Sequence, residues 1–216
     1  TFTHQPDTTT LYIVEALTKD SCLVKYQQLV TVQPLPKKPA INDYTYCQFD
    51  EAYPIVADSL SSTNKLLWHR ANGQIDTVAI LPAPSTLVAG VSYRYVQQYD
   101  PVTGCVSELD TAVITVSGLP NAPATQSIDI CEDDATQRSL IAYDNLGQNG
   151  FGQPYGIMHW FESDSTSATA GTPLVSGSSI TASKTYLVKQ EDSRTGCFSQ
   201  FAVAEVNFYE KPGAEI

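Results

Sequence analysis

The sequence predicts an all-β protein built of tandem sandwich domains, and three observations predict it. Tyr, Thr and Val recur in short runs, and these types suit strands better than helices. Gly and Pro punctuate the whole length, as they do where turns separate many short strands. No stretch sustains a period of 3.6 residues, so little or no helix is expected. The chain has 216 residues, of which 42% are hydrophobic. That is enough for one large domain or two ordinary ones with real cores.

Internal repetition sets the architecture. Thr31-Val-Gln-Pro-Leu-Pro-Lys-Lys-Pro39 matches Thr115-Val-Ser-Gly-Leu-Pro-Asn-Ala-Pro123 without a gap, 84 residues apart. Tyr95-Val-Gln-Gln-Tyr-Asp-Pro-Val-Thr-Gly-Cys105 matches Leu187-Val-Lys-Gln-Glu-Asp-Ser-Arg-Thr-Gly-Cys197, and Leu11 to Cys22 is a shorter-looped version. A first kind of cysteine recurs in Tyr44-Thr-Tyr-Cys47 and Ile128-Asp-Ile-Cys131, each followed by a tryptophan in Leu66-Leu-Trp68 and Met158-His-Trp160. The order is half a repeat and then two whole ones. Residues 1–36 form the back half of a first repeat, 37–119 a second, 120–209 a third, and 210–216 a linker to a following one.

Within the second repeat the strands fall at Ala52–Ala57, Lys65–Arg70, Val78–Leu81, Val91–Gln98 and Val106–Val116. Lys65–Arg70 alternates, with Leu66 and Trp68 on one face and Leu67 and His69 on the other. Asn72-Gly73 is a two-residue hairpin signal, and Asp100-Pro-Val-Thr-Gly104 is the turn between the last two strands. About seven short strands per repeat is the count of an immunoglobulin-like sandwich. Trp68 and Trp160, at the same repeat position, read as core residues rather than sugar-stacking platforms.

The formal charge of −11, from 12 basic and 23 acidic residues, opposes binding to nucleic acid or anionic lipid. No apolar run approaches a membrane span. With no Met at its start and no signal peptide, the chain reads as an internal stretch of a longer protein. Its five cysteines form no CxxC pair, and His4, His69 and His159 are not clustered near them, which argues against a zinc site. Widely spaced single cysteines in an acidic β-rich chain read as structural disulfides of an oxidising compartment. No G-x-S-x-G, H-E-x-x-H or P-loop is present, so no catalytic site is expected.

The Tyr-x-Cys start, central Leu-x-Trp, Tyr-x-Val-x-Gln strand, Thr-Gly-Cys turn and Val-x-Val end together resemble a known family. They are similar to the tandem Ig-like repeats that fill the very long surface adhesins of Bacteroidota, including gliding-motility adhesins exported by type IX secretion. The third repeat departs from the pattern, with a longer stretch before Met158-His-Trp160. The resemblance implies an extracellular, cell-surface stalk whose partners are the neighbouring repeats of its own chain, with surface glycans or other surface proteins as further candidates. The alternative is a carbohydrate- or protein-binding module attached to a secreted polysaccharide-degrading enzyme.

The repeat leads to the expectation of one disulfide within each whole repeat, Cys47–Cys105 and Cys131–Cys197, with Cys22 unpaired because its partner precedes the chain. Both cysteines of a repeat are expected at its N-terminal pole, shielding Gln48 to Gly104 from tension along an end-to-end rod. Pro34–Pro39 and Gly118–Pro123 are the expected semi-rigid linkers. The acidic clusters Asp50-Glu51 and Glu132-Asp133-Asp134 read as solvated surface, with a calcium site as the other reading; no other cofactor is expected. The inserted stretch 143–156 offers Tyr143, Asn145, Asn149, Phe151 and Tyr155 as a binding loop, against a hairpin that only packs on its surroundings.

Overall fold

The computed structural model describes residues 3–59, 61–162, 168–170, 174–176 and 179–212. The protein is all-β and comprises two compact units. Unit 1 is Thr1–Tyr44, Tyr53–Pro84 and Ser92–Ile114; unit 2 is Thr45–Ala52, Ser85–Val91 and Thr115–Ile216.

The chain opens with β1 (Thr10–Leu17) and β2 (Leu23–Val30), an antiparallel hairpin in register from Thr10↔Val30 to Leu17↔Leu23. Its Leu11, Ile13, Val14, Leu17, Leu23, Val24, Tyr26 and Leu29 are all more than half exposed. These apolar residues lie on both faces, because side chains alternate across a strand.

The second repeat contributes β3 (Ala40–Ile41), β4 (Tyr44–Cys47), β5 (Ile55–Asp58), β6 (Lys65–His69), β7 (Ile75–Asp76), β8 (Ile80–Leu81), β9 (Gly90–Tyr99) and β10 (Asp110–Ser117). They make a five-stranded sheet, β4-β10-β9-β6-β7, and a three-stranded one, β3-β5-β8. In unit 1 the alternation of the strands buries Ile55, Ala57, Leu66, Trp68, Leu81, Val96, Ala112 and Ile114. Trp68 is 1% exposed and its indole N–H donates to the Val78 carbonyl at 2.8 Å. Asn72-Gly73 closes the β6–β7 hairpin, with Gly73 at φ +82° and its N–H bonded to the Arg70 carbonyl. The last strand begins at Asp110, later than the apolar pattern from Val106 suggested. Ahead of it Ser107 exchanges bonds with Gln98: Ser107 N–H to Gln98 O, and Gln98 N–H to Ser107 Oγ, both 2.8 Å.

The third repeat repeats this plan within unit 2. Its strands are β11 (Ala124–Gln126), β12 (Ile128–Cys131), β13 (Gln137–Ser139), β14 (Ile141–Tyr143), β15 (Gly156–Glu162), β16 (Ala168–Ala170), β17 (Leu174–Ser176), β18 (Lys184–Asp192) and β19 (Ala202–Tyr209). The main sheet runs β12-β19-β18-β15-β16, with two small sheets, β11-β14 and β13-β17. Ile130, Leu140, Trp160, Val175, Tyr186, Val188, Ala204 and Val206 form one core, drawn from the main sheet, β17 and the residue between β13 and β14, with Ala142 of β14 packed against it. Strands of separate sheets facing a common core, with the last strand between the first and the penultimate, make an immunoglobulin-like β-sandwich.

One pairing governs the ends of this sandwich. β12 runs parallel to β19, with Ile128 opposite Val206 and Cys131 opposite Tyr209. β12 therefore carries Cys131 toward the C-terminal end of β19.

At the other end a buried glutamine holds the incoming chain. Gln190 is fully buried on β18, and its amide donates to the Asn121 carbonyl at 2.7 Å. Gln98 does the same on β9, donating to the Lys37 carbonyl at 2.8 Å while its own carbonyl accepts from Ser59 and Asn64. We expect Gln98→Ala to leave these groups without their partner and to lower stability by about 1–3 kcal/mol. Gln97→Ala, on the neighbouring position, should change it by about 0.5 kcal/mol or less. Urea unfolding midpoints of the two variants check this; equal midpoints would remove the glutamine's role.

Candidate functional site

The disulfide is the chemical feature of the chain, and two turns of unit 2 build it. The first turn follows β4. Its Phe49 adopts φ +72°, a left-handed conformation uncommon outside glycine. Asp50 stabilises the bend, accepting from the Cys47 N–H through Oδ2 at 2.9 Å and donating its own N–H to the Cys47 carbonyl at 3.1 Å. Gln48 N–H donates to the Ser117 carbonyl at 2.8 Å, which seats Cys47 beside the end of β10. Phe49 N–H bonds the Thr86 carbonyl, and Thr86 Oγ1 returns a bond to the Asp50 carbonyl at 2.7 Å.

The second turn joins β18 to the approach to β19. Asp192 is its keystone. Its carboxylate accepts from the Arg194 backbone N–H at 3.0 Å and from the Arg194 guanidinium at 2.9 and 2.7 Å. That guanidinium holds the Asp192 carboxyl below its ordinary range, with the backbone N–H adding to the effect. Arg194 in turn lies over the Tyr155 ring, 4.4 Å from its centre. Gly196 takes φ +73°, and Asp192 N–H bonds the Cys197 carbonyl at 2.9 Å.

These turns bring Cys47 and Cys197 together, with Cα atoms 5.6 Å apart and a sequence separation of 150. Cys22, Cys105 and Cys131 are free thiols. The pairing differs from the expected Cys47–Cys105 and Cys131–Cys197, and the parallel strand explains why. Cys131 lies opposite Tyr209, the last residue of β19, whereas Cys197 precedes its first residue, Ala202. Eight residues of strand span more than about 20 Å, and a disulfide needs Cα atoms within about 7 Å. The two cysteines of one repeat thus occupy opposite ends of it, not one pole. The bond that forms instead lies within unit 2, beside residues 117–121. Gln48 anchors one side of it at Ser117, Gln190 grips the other at Asn121, and the disulfide closes the gap.

The acidic clusters are spent on the backbone and on cations of the chain itself. Asp134 accepts from Thr136 N–H at 2.9 Å and from Arg138 at 2.8 Å, and the Thr136 N–H is the main cause of its lowered pKa. Glu132 accepts from the Lys211 N–H at 2.9 Å, and Asp133 lies 3.9 Å from the Lys211 ammonium. Asp50 is held by Cys47, and Glu51 is exposed. Among the described residues no three His, Cys, Asp or Glu side chains converge on one point.

The inserted stretch 143–156 is a hairpin. Asn149 Oδ1 accepts from Phe151 and Gln153 N–H groups at 2.9 and 3.0 Å, shaping the tip. Asn145 donates to the Ala122 carbonyl at 2.9 Å and accepts from Gln190, so it serves the linker. Tyr155 lies under Arg194, and Tyr143 hydroxyl donates to Gln126 at 3.3 Å. Phe151, 91% exposed, is the side chain of this set that projects farthest into solvent. The sequence reading missed the paired linker glutamines Gln98 and Gln190, although their shared place in the repeat was the available signal.

We expect peptide mapping of the unreduced chain to find Cys47 joined to Cys197, with Cys22, Cys105 and Cys131 open to alkylation; a Cys47–Cys105 peptide would contradict the strand register. Acid should loosen the second turn. The depressed Asp192 contributes stability that is complete above its ordinary pKa of about 3.8 and is lost as pH falls through the folded value. Unfolding midpoints measured from pH 6 to pH 2.5 should therefore fall only below about pH 4, and less steeply in Asp192→Asn. An identical slope in that variant would discount the Asp192–Arg194 contact.

No protein-family model and no curated protein matches this chain. Solved structures do. The fibronectin(III)-like modules of Clostridium thermocellum CbhA are similar at TM-score 0.41 and 9% identity, covering 82% of this chain and 96% of that one. The FN1–FN3 domains of chicken CNTN1 are similar at 0.36 and 8%, covering 93% and 78%. Sidekick-1 immunoglobulin domains 1–4 are similar at 0.36 and 10%, covering 93% and 58%.

Proposed function

We propose that this chain is a load-bearing spacer: a run of Ig-like repeats in the stalk of a secreted cell-surface adhesin of the Bacteroidota type, without catalytic activity of its own. The observation that carries the reading is the disulfide beside the expected Gly118–Pro123 linker. A junction held by the backbone, by a glutamine clamp and by a covalent bond suits a protein that must transmit tension. A disulfide of this kind suits an oxidising compartment outside the cytosol and so supports the reading. The bare β1–β2 hairpin supports the repeat reading from another side. Its exposed apolar faces are those of the last two strands of a sandwich. Neighbouring repeats of the same chain are then its main partners.

The exposed Phe151 at the hairpin tip favours a second reading, a glycan-binding module, because an aromatic ring on a rigid turn can stack on a sugar. Single-molecule pulling on the termini separates the two. In the spacer reading the bond between Cys47 and Cys197 withholds 150 residues of separation, roughly 500 Å of contour at about 3.4 Å per residue. Reductant should release that length. Equal lengths with and without reductant would sink the spacer reading, and glycan-array binding abolished by Phe151→Ala would establish the module.

A further inference from the structure

We infer that the Cys47–Cys197 bond is one rung of a rule: the first cysteine of each repeat bonds the second cysteine of the repeat that follows it. Cys131 is then the attachment site for a following repeat, and Cys105 for a preceding one. The partner is a repeat of this same kind, and the inference rests on the repeat reading above.

Of the three free thiols, Cys105 and Cys131 stand in the frames that hold the bonded ones. At the first position, Asp50 N–H meets the Cys47 carbonyl at 3.1 Å, and Asp134 N–H meets the Cys131 carbonyl at 3.1 Å. Gln48 bonds Ser117 at the end of β10, and Glu132 bonds Tyr209 at the end of β19, both at 2.8 Å. Phe49 and Asp133 both take left-handed backbone, at φ 72° and 66°. At the second position, Asp100 and Asp192 N–H groups both reach the following cysteine carbonyl at 2.9 Å. Cys105 and Cys197 N–H groups both bond a threonine Oγ1 two residues back at 3.3 Å. Gly104 and Gly196 share φ 73°. Each free cysteine is thus presented as its bonded counterpart is.

The parallel first strand supplies the direction of the rule. Cys131 lies opposite Tyr209, where the chain leaves its repeat. Cys197 follows the turn beyond Gln190, which grips the residues where the chain comes in. A repeat placed after Lys211-Pro212 would bring its own second cysteine toward Cys131, as Cys197 comes to Cys47. Cys131 is exposed and Cys105 partly so, which leaves both accessible to oxidation. Each new bond takes two protons and two electrons from two thiols. The electrons pass to a disulfide of the glutathione or thiol oxidoreductase class, which is reduced to two thiols.

The test is a lengthened chain in which a second copy of residues 121–209 follows Pro212, refolded in a glutathione redox buffer. Two cysteines are added, yet the free thiols should stay at three, as in the original chain. Peptide mapping should join Cys131 to the added copy's second cysteine and retain Cys47–Cys197. Cys131→Ser in the lengthened chain should expose that added cysteine to alkylation while the Cys47–Cys197 peptide persists, which reports that the chain has folded. Five free thiols alongside an intact Cys47–Cys197 bond would overturn the rule, as would a bond from Cys131 to Cys197. The first outcome leaves the spacer reading intact, because Cys47–Cys197 persists; the second takes Cys197 from Cys47 and would overturn that reading as well.

Discussion

The parallel pairing of the first strand with the last is the constraint on which the rest of the structure depends. Antiparallel neighbours would return a cysteine near its starting end. The parallel β12–β19 register instead carries Cys131 the length of the sandwich. The backbone hydrogen bonds of that pair, continued by Glu132 to Tyr209, fix the position as firmly as the core does. Everything at the linker follows from it. Cys131 lies where β19 ends, and Cys197 precedes its start. A 150-residue separation is the result. By the chain-entropy account, closing a loop of that size restrains the unfolded chain by about 5 kcal/mol, more than either intra-repeat bond would have.

The two turns that hold the sulfurs solve one problem in two ways. Both must reverse the chain beside a cysteine within a few residues. The turn before Cys197 uses Gly196, for which left-handed backbone carries little steric cost. The turn after Cys47 uses Phe49, for which it carries more, and Asp50 compensates by bonding the Cys47 N–H. Asp192 has the corresponding place in the other turn and is bound more tightly, through Arg194. Carboxylates that looked like free surface charge in the composition therefore have fixed local duties.

Much of this was legible in the sequence. The tryptophans declared the core, because their place in the alternating strands admits only an inward side chain. Asn72-Gly73 declared its hairpin by the backbone angles it can adopt. The disulfide partners were not legible, because spacing identifies which cysteines are equivalent and not which direction their strands run. The late start of β10 was hidden for a related reason. Val106 continues the apolar pattern, but it forms only an isolated bridge to Tyr99, and the Ser107 side chain takes the Gln98 N–H, a bond that hydrophobicity does not encode. In the inserted hairpin, Asn145 and Asn149 had the composition of a binding loop. Their amides are instead consumed by the linker and by the tip's own backbone, a competition visible only once the chain is folded.

The span of the disulfide also bears on survival among proteases. The hairpin tip at Phe151 is the kind of exposed turn at which chains are nicked. It lies between Cys47 and Cys197, inside the closed loop. A cut there opens the loop without parting the chain, since the fragment ending at the tip and the fragment beginning beyond it remain joined through sulfur. Gly118–Pro123 is enclosed by the same loop. Cleavage at either of these two segments thus leaves the molecule in one piece.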